Sequence, residues 1–352
     1  MKIKSKVLGL LIAVFVVSMF VLNGCSSGGG EGKIRIGFAM DTLKEERWQK
    51  DRDYFTQRAE ELGAEVIVLS ADGDPLKQNQ QCETLVAKGV DLLVVVPFDA
   101  KSSARCVEVA HNEGIKVMAY DRMISNCEVD LYMSFDNVRV GELQAEYMLK
   151  VVPEGRYVLV GGAQTDNNAH LFRKGQMNIL QPAIDSGKIK IVADQWAENW
   201  QPIKAMEITK AALSREDNNI DAVVASNDGT AGGVIAALQE QKLDGIVAVS
   251  GQDADIAACQ RVVAGIQSMT VYKPIKKIAT TAAEVAVDIV KNDAIPDTGG
   301  KTINNGLIDV PSILLEPVQV DKENMYSVVI KQGFHTMEEV YKDIPKDQWP
   351  SE

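Results

Sequence analysis

Short polar or aromatic clusters stand directly after apolar, strand-like runs along this chain. Asp41 follows Ile34–Met40, with Arg47 and Trp48 shortly beyond. Asp121 and Arg122 follow Lys116–Tyr120, and Asp166, Asn167 and Asn168 follow Tyr157–Gly162. Gln195 and Trp196 end another run, with Trp200 close behind. Asn227 and Asp228 follow Ala222–Ser226, Gln252 and Asp253 follow Ile246–Gly251, and Lys273 follows Ser268–Tyr272. The chemistry common to this set is recognition of a ring of hydroxyls, as a free sugar presents. A carboxylate accepts from two neighbouring hydroxyls, a guanidinium offers a planar fork of donors, and a carboxamide offers one side of each kind. An indole covers the apolar face of the ring. Singly, an Asp or Asn after a strand is often just a helix N-cap. Many such strand ends of one chemical kind are not explained by caps.

The same inventory lacks the parts of a catalyst. His111 and His335 lie away from these strand ends, and His170 has no Ser or Cys partner at one. Gly161-Gly162 and Gly232-Gly233 fit neither a dinucleotide fingerprint nor a phosphate loop. Asp72-Gly73-Asp74 is followed by Pro75 and closed by no Glu, so it reads as a turn rather than a calcium loop. No metal and no cofactor are expected.

Strands and helices must alternate to place the clusters. From Lys33 on, β-branched runs such as Ile34–Met40, Ala64–Ser70 and Asp91–Phe98 alternate with stretches whose apolar residues recur at helical spacing. The pattern restarts near residue 138, with strands near 157–162, 188–195, 222–227, 246–251 and 268–272. A long final helix is predicted over 275–291. Gly63, Gly89, Gly114, Gly187 and Gly265 punctuate helix ends. Repeated βα units imply parallel sheets with right-handed crossovers, and about ten of them imply two doubly wound α/β lobes. Ligands in such sheets sit beyond the C-terminal strand ends, where the polar clusters stand.

The first residues read as an export signal: Lys2, Lys4 and Lys6, then the apolar run Val7–Leu22, then Leu22-Asn23-Gly24-Cys25 and a Ser/Gly stretch. This matches a lipoprotein cleavage site with Cys25 as the lipidated residue. The formal net charge is −12, and loss of the three leader lysines gives 34 − 49 = −15. So acidic a chain repels nucleic acid and anionic headgroups. Cys82, Cys106, Cys127 and Cys259 show no CxxC pair and read as buried thiols, with a Cys82–Cys106 disulfide left open.

Eight longer stretches carry a resemblance: ERWQKDRD (46–53), AYDRMI (119–124), SFDN (134–137), ADQW (193–196), DAVVASND (221–228), SGQDAD (250–255), MTVYKP (269–274) and NNGLIDVPS (304–312). In these the chain, from about Lys33 to about His335, resembles the periplasmic sugar-binding proteins of the ribose/galactose type, and within them the D-xylose-binding branch. The resemblance implies the type I fold, two α/β lobes joined by a three-crossing hinge with a sugar clamped between them. On it, Arg47, Asp121 and Arg122 are first-lobe hydroxyl ligands and Trp48 a stacking platform. Asp166 and Asn168 are second-lobe ligands, and Trp200 the opposing aromatic. Asn227, Asp253 and Lys273 complete the polar set, Lys273 at a hinge.

The expected organisation is a signal peptide over 1–24, a tether over 25–32, one lobe from 33–137 with 274–310, a second from 138–273 with 311–345, and a tail over 346–352. The expected role is capture of a monosaccharide, D-xylose foremost, and delivery to an ABC import permease. The protein would be a monomer outside the cytoplasm, held to the membrane by lipid on Cys25, with no nucleic-acid partner. The alternatives are a sugar sensor docking on a chemoreceptor or sensor kinase, or binding of another pentose or hexose. A repressor's sensing domain is excluded by the export signal in place of a DNA-binding headpiece.

Overall fold

A computed structural model describes residues 33–351; the expected signal peptide, Cys25 and the tether lie outside the described residues. β1 (Arg35–Met40), α1 (Glu46–Glu61), β2 (Glu65–Ser70), α2 (Pro75–Ala87), β3 (Leu92–Val95), α3 (Ala104–Asn112) and β4 (Lys116–Tyr120) follow the alternation read from the sequence. β5 (Leu131–Phe135) comes next and was not anticipated. α4 (Asn137–Val151), β6 (Gly155–Gly161), α5 (Asn167–Asp185), β7 (Ile189–Trp196), α6 (Pro202–Arg215), β8 (Ala222–Ala225), α7 (Asp228–Glu240), β9 (Ala248–Val249) and α8 (Ile256–Val263) form the second run. β10 (Thr270–Tyr272) and α9 (Ile275–Asn292) lead back. β11 (Thr302–Asn304), β12 (Asp309–Leu315), β13 (Val318–Val320) and the short α10 (Met337–Val340) complete the chain, so α9 is not the last element.

The first sheet has the order β11-β12-β5-β4-β3-β1-β2 and is parallel except for the hairpin partner β11. β3 is the Leu-Leu-Val-Val strand buried at every position, as expected of a strand covered on both faces. α1 and α9 cover one face, where Trp48, Phe55, Ile278 and Ala282 pack on Phe38, Val94 and Met118. On α9 the buried residues Ile275, Ile278, Ala279, Ala282, Ala286 and Ile289 recur at three- and four-residue intervals, one stripe of the helix. α2 and α3 cover the other face. There Cys82 and Cys106 are joined as a disulfide with a Cα–Cα separation of 5.3 Å, so the expectation of free thiols holds only for Cys127 and Cys259. The second sheet, β7-β6-β8-β9, is wholly parallel and also covered on both faces. β10 and β13 form an antiparallel ribbon tied to its end by Ser268 N–H donating to Val249 O (2.9 Å).

Three segments pass between the two halves: Asp136 between β5 and α4, Lys273-Pro274 between β10 and α9, and Glu316-Pro317 between β12 and β13. The last lies later than expected. Residues 312–315 pair in register with Tyr132–Phe135 of the first sheet, so 311–315 belong to the first lobe rather than to the second. The expected tail over 346–352 packs on the second lobe through Trp349. Val340 and Tyr341 are buried with Val262 and Phe334, and Trp349 packs on Tyr341 at 6.0 Å. The five expected glycines all follow helices with positive φ, between 71° and 86°.

Candidate functional site

The C-terminal strand ends of both sheets converge on one cavity of about 350 Å³, mouth included. Arg47, Trp48, Asp121, Arg122, Asp166, Asn168, Trp200, Asn227, Asp253 and Lys273 all line it. The geometry thus brings together the whole set picked from the sequence, from both lobes and the Lys273 crossing.

Arg47 and Trp48 sit in the first turn of α1. Arg47 Nη2 donates to Asp51 Oδ2 (3.1 Å), one turn along, and to Asp121 Oδ2 (2.8 Å). Its Cζ lies 4.0 Å from the centroid of the Trp48 ring, and Arg122 Cζ lies 5.1 Å from it. Trp48 therefore orders two guanidinium groups as well as lining the cavity. Asp121 is held at φ 60° in the left-handed region. Its N–H donates to Met133 O (2.7 Å), and its carbonyl accepts from Ser134 Oγ (2.6 Å), Tyr132 OH (3.0 Å) and Asn168 Nδ2 (3.0 Å). Four bonds thus over-determine a strained residue at the site. Arg122 pairs with Asp41 (2.6 Å) and Asp166 (2.9 Å).

Two residues of the set cap helices and also line the cavity. Asp166 Oδ1 caps α5 by accepting from Asn168 N–H (2.9 Å), while Oδ2 accepts from Trp200 Nε1 (3.2 Å). Asn227 caps α7 through a reciprocal bond set with Thr230 and still lines the cavity. Trp200 stands at φ 57° in the single turn Glu198–Trp200, edge-on to Phe172 at 6.3 Å. Gly162 lies directly against its ring: a Cβ there would come within 2.0 Å. Lys273, fully buried, lies 3.2 Å from Asp253 Oδ1 and 3.7 Å from Asp121 Oδ2, and Arg47 Nη1 is 3.5 Å from the same Asp253 oxygen.

Arg47–Asp253, Arg122–Asp166 and Asn168–Asp121 each tie one lobe to the other across the cavity. Burial, the largest influence on Asp121, pushes its pKa up, but the charges of Arg47, Lys273 and Arg122 together hold it below the usual range. Burial outweighs Arg122 at Asp166 and Asp41, and both are raised. Glu45, Gln252 and Asp253 line the cavity, and Glu45 Oε2, Gln252 Oε1 and Asp253 Oδ1 have no hydrogen-bond partner among the described residues. A wall of fixed charges with unsatisfied acceptors is suited to a neutral ligand rich in hydroxyl donors.

Glu45 and Phe172 line the cavity without being among the strand-end residues read from sequence, and Gln252, named there beside Asp253 but given no role, lines it too. Gln252 precedes Asp253 at the same strand end, and Phe172 is one helical turn beyond Asn168, so spacing alone points to both. Glu45 lies between Asp41 and Arg47 in the β1–α1 connection. Conversely, Trp196 lies beside His170 and Arg173 outside the cavity, and Asp228 is buried behind it under Gln267 and Thr270. The histidines bond elsewhere: His111 to Asp130, His170 to Gln164 O and His335 to Ala254 O.

A profile of the family described as "Periplasmic binding protein domain" matches residues 36–294. The chain belongs to that family. Membership makes it a binding protein rather than an enzyme. The chain is 52% identical over 341 residues to the D-xylose-binding periplasmic protein of Haemophilus influenzae, covering 97% of this chain and 100% of the relative. It is 53% identical over 308 residues to the protein of the same description from Escherichia coli, covering 88% and 93%. Among solved structures, an ABC transporter solute-binding protein from Clostridium phytofermentans with bound β-D-glucose superposes with a TM-score of 0.81, at 31% identity over 87% of this chain and 99% of that one.

Proposed function

We propose that this protein captures one monosaccharide, D-xylose foremost, between its lobes outside the cytoplasm and presents it to an ABC import permease. The observation that carries the reading is identity above one half, over nearly the whole chain, to relatives described as D-xylose-binding. The cavity supports it. We assign the ten lining residues named above as the sugar's partners, with carboxylates accepting from hydroxyls and Arg47, Arg122 and Lys273 donating to the ring and hydroxyl oxygens. The mechanism is binding without bond chemistry. Contacts contributed by both lobes favour the closed form, and the closed form is what the permease would read.

Selectivity follows from the fixed charges. An inverted hydroxyl leaves a buried charged group unpaired, at about 1–3 kcal/mol or more each. Competition of ribose, arabinose, glucose and galactose against labelled D-xylose tests the assignment; ribose or glucose displacing xylose more readily than xylose itself would overturn it. We further propose that Cys25 carries a lipid anchor, on the strength of the Leu22–Cys25 pattern, and that the protein acts as a monomer. Two acyl chains are enough for stable anchoring. In the Cys25→Ser variant, release from the membrane fraction is expected, and unchanged retention and mobility would contradict the anchor.

A further inference from the structure

A second chamber, about 620 Å³ with its mouth, adjoins the cavity. Glu45, Arg122 and Trp200 line both spaces, so the two meet at these three side chains. The outer wall is drawn from both lobes and combines an aromatic ring, Phe98, with Thr42, Thr165 and Gln201. Asp41 also lines it, 4% exposed, with Oδ2 engaged by Arg122 and Oδ1 without a partner among the described residues. Glu45 Oε2 is likewise unpartnered. Free carboxylate oxygens call for donors and repel anions. The wall also carries Asp72, and Lys44 and Arg122 offset most of the charge of the three carboxylates. A neutral group bearing hydroxyls and an apolar ring face meets both conditions.

We propose that the outer chamber is a second saccharide subsite, so that the protein also takes a disaccharide with one pentose in the inner cavity and a linked glycosyl unit outside it. The proposal rests on the sugar-binding reading of the inner cavity. The outer unit lies between Phe98 and Trp200 and donates hydroxyls to Asp41 Oδ1 and Glu45 Oε2. Thr42 and Phe98 belong to the chamber alone and are partly exposed, which makes them the places to separate the two subsites.

Calorimetric titration with D-xylose and with β-1,4-xylobiose tests this, on the wild type and on the Phe98→Ala and Thr42→Trp variants. The expected result is one xylobiose per chain with an affinity within about tenfold of that for xylose. Phe98→Ala removes a platform and Thr42→Trp fills the chamber, so each should weaken xylobiose by about tenfold or more while xylose stays within about twofold. Circular dichroism confirms the fold of each variant, and either variant suffices if the other does not fold. Xylose binding with no xylobiose binding overturns the subsite and leaves the proposed function standing. Xylobiose binding that both folded variants leave unchanged places its second ring elsewhere and also overturns the subsite. If neither sugar binds the wild type, the reading of the inner cavity falls, and the subsite with it.

Discussion

Replacing Asp253 by Asn removes one charge from the cavity and keeps its shape. Asp253 Oδ1 lies 3.2 Å from Lys273 Nζ and 3.5 Å from Arg47 Nη1, yet neither is aligned as a hydrogen bond. The oxygen therefore has lone pairs for a sugar hydroxyl, strengthened by its negative charge. Hydrogen bonds to charged groups contribute about 1.5–3 kcal/mol, which is about 10- to 100-fold in Kd. The carboxamide either presents an NH₂ toward two cations or turns it to the sugar, and it loses a strong acceptor in both cases. Asn tolerates positive φ better than most residues, and Asp253 stands at φ 100°. The change also removes a like charge that raises the pKa values of the buried Asp228 and Asp255. It also takes a buried counter-charge from Lys273 and Arg47, so the sugar-free variant should melt somewhat lower than the wild type while staying folded. Calorimetry with D-xylose gives Kd, and scanning calorimetry gives Tm. A Kd within about twofold of the wild type would refute the assigned role of this carboxylate.

Trp200→Ala should weaken D-xylose by about 1–3 kcal/mol and abolish most of the sugar-induced change in tryptophan fluorescence; unaltered affinity would place the ring outside the sugar's reach. Stability of the sugar-free protein should fall as pH rises. Burial pushes Asp228 up to about 7 and Asp51 up to about 6, so each retains its proton when folded at a pH where the unfolded chain has lost it. Their contribution is complete below the ordinary carboxylate range and is lost as pH passes about 6 and then about 7; burial lowers His335 and opposes this, as one group against several. A Tm at about pH 8 equal to or above that at about pH 5.5 would contradict the assignment of these buried carboxylates. The Cys82–Cys106 bond closes a loop with a sequence separation of 24, so reduction or the double Ala variant should cost about 3 kcal/mol of stability. Thiol titration of the denatured, unreduced chain from residue 33 on should find two free thiols, and four would show that the bond does not form.

The site was legible because a βα crossover leaves polar side chains in one place, beyond the strand's C-terminal end. Asp121-Arg122 and Gln252-Asp253 needed only their position after an apolar run to be found. Glu45 stands between Asp41 and Arg47 in the β1–α1 connection, so the same rule reaches it. β5 escaped notice because the stretch from Asp121 to Asp130 that precedes it is not helical, which breaks the rhythm. The later boundary at Leu315 has a similar cause: β11 and β12 pair antiparallel, and no helix punctuates them. Residues 346–352 read as a tail because Trp349, which packs, stands among charged and polar neighbours. The disulfide depends on α2 and α3 lying side by side, a distance that the sequence does not contain.

The central claim is that a D-xylose ring occupies the cavity between the lobes and is held by residues from both. A crystal structure of the protein grown with D-xylose tests it most directly. The account predicts one pyranose per chain, with hydroxyls within hydrogen-bonding distance of Asp121, Asp166 and Asp253 and its apolar face against an indole. Density for the sugar elsewhere on the chain, or an empty cavity at saturating D-xylose, would contradict it.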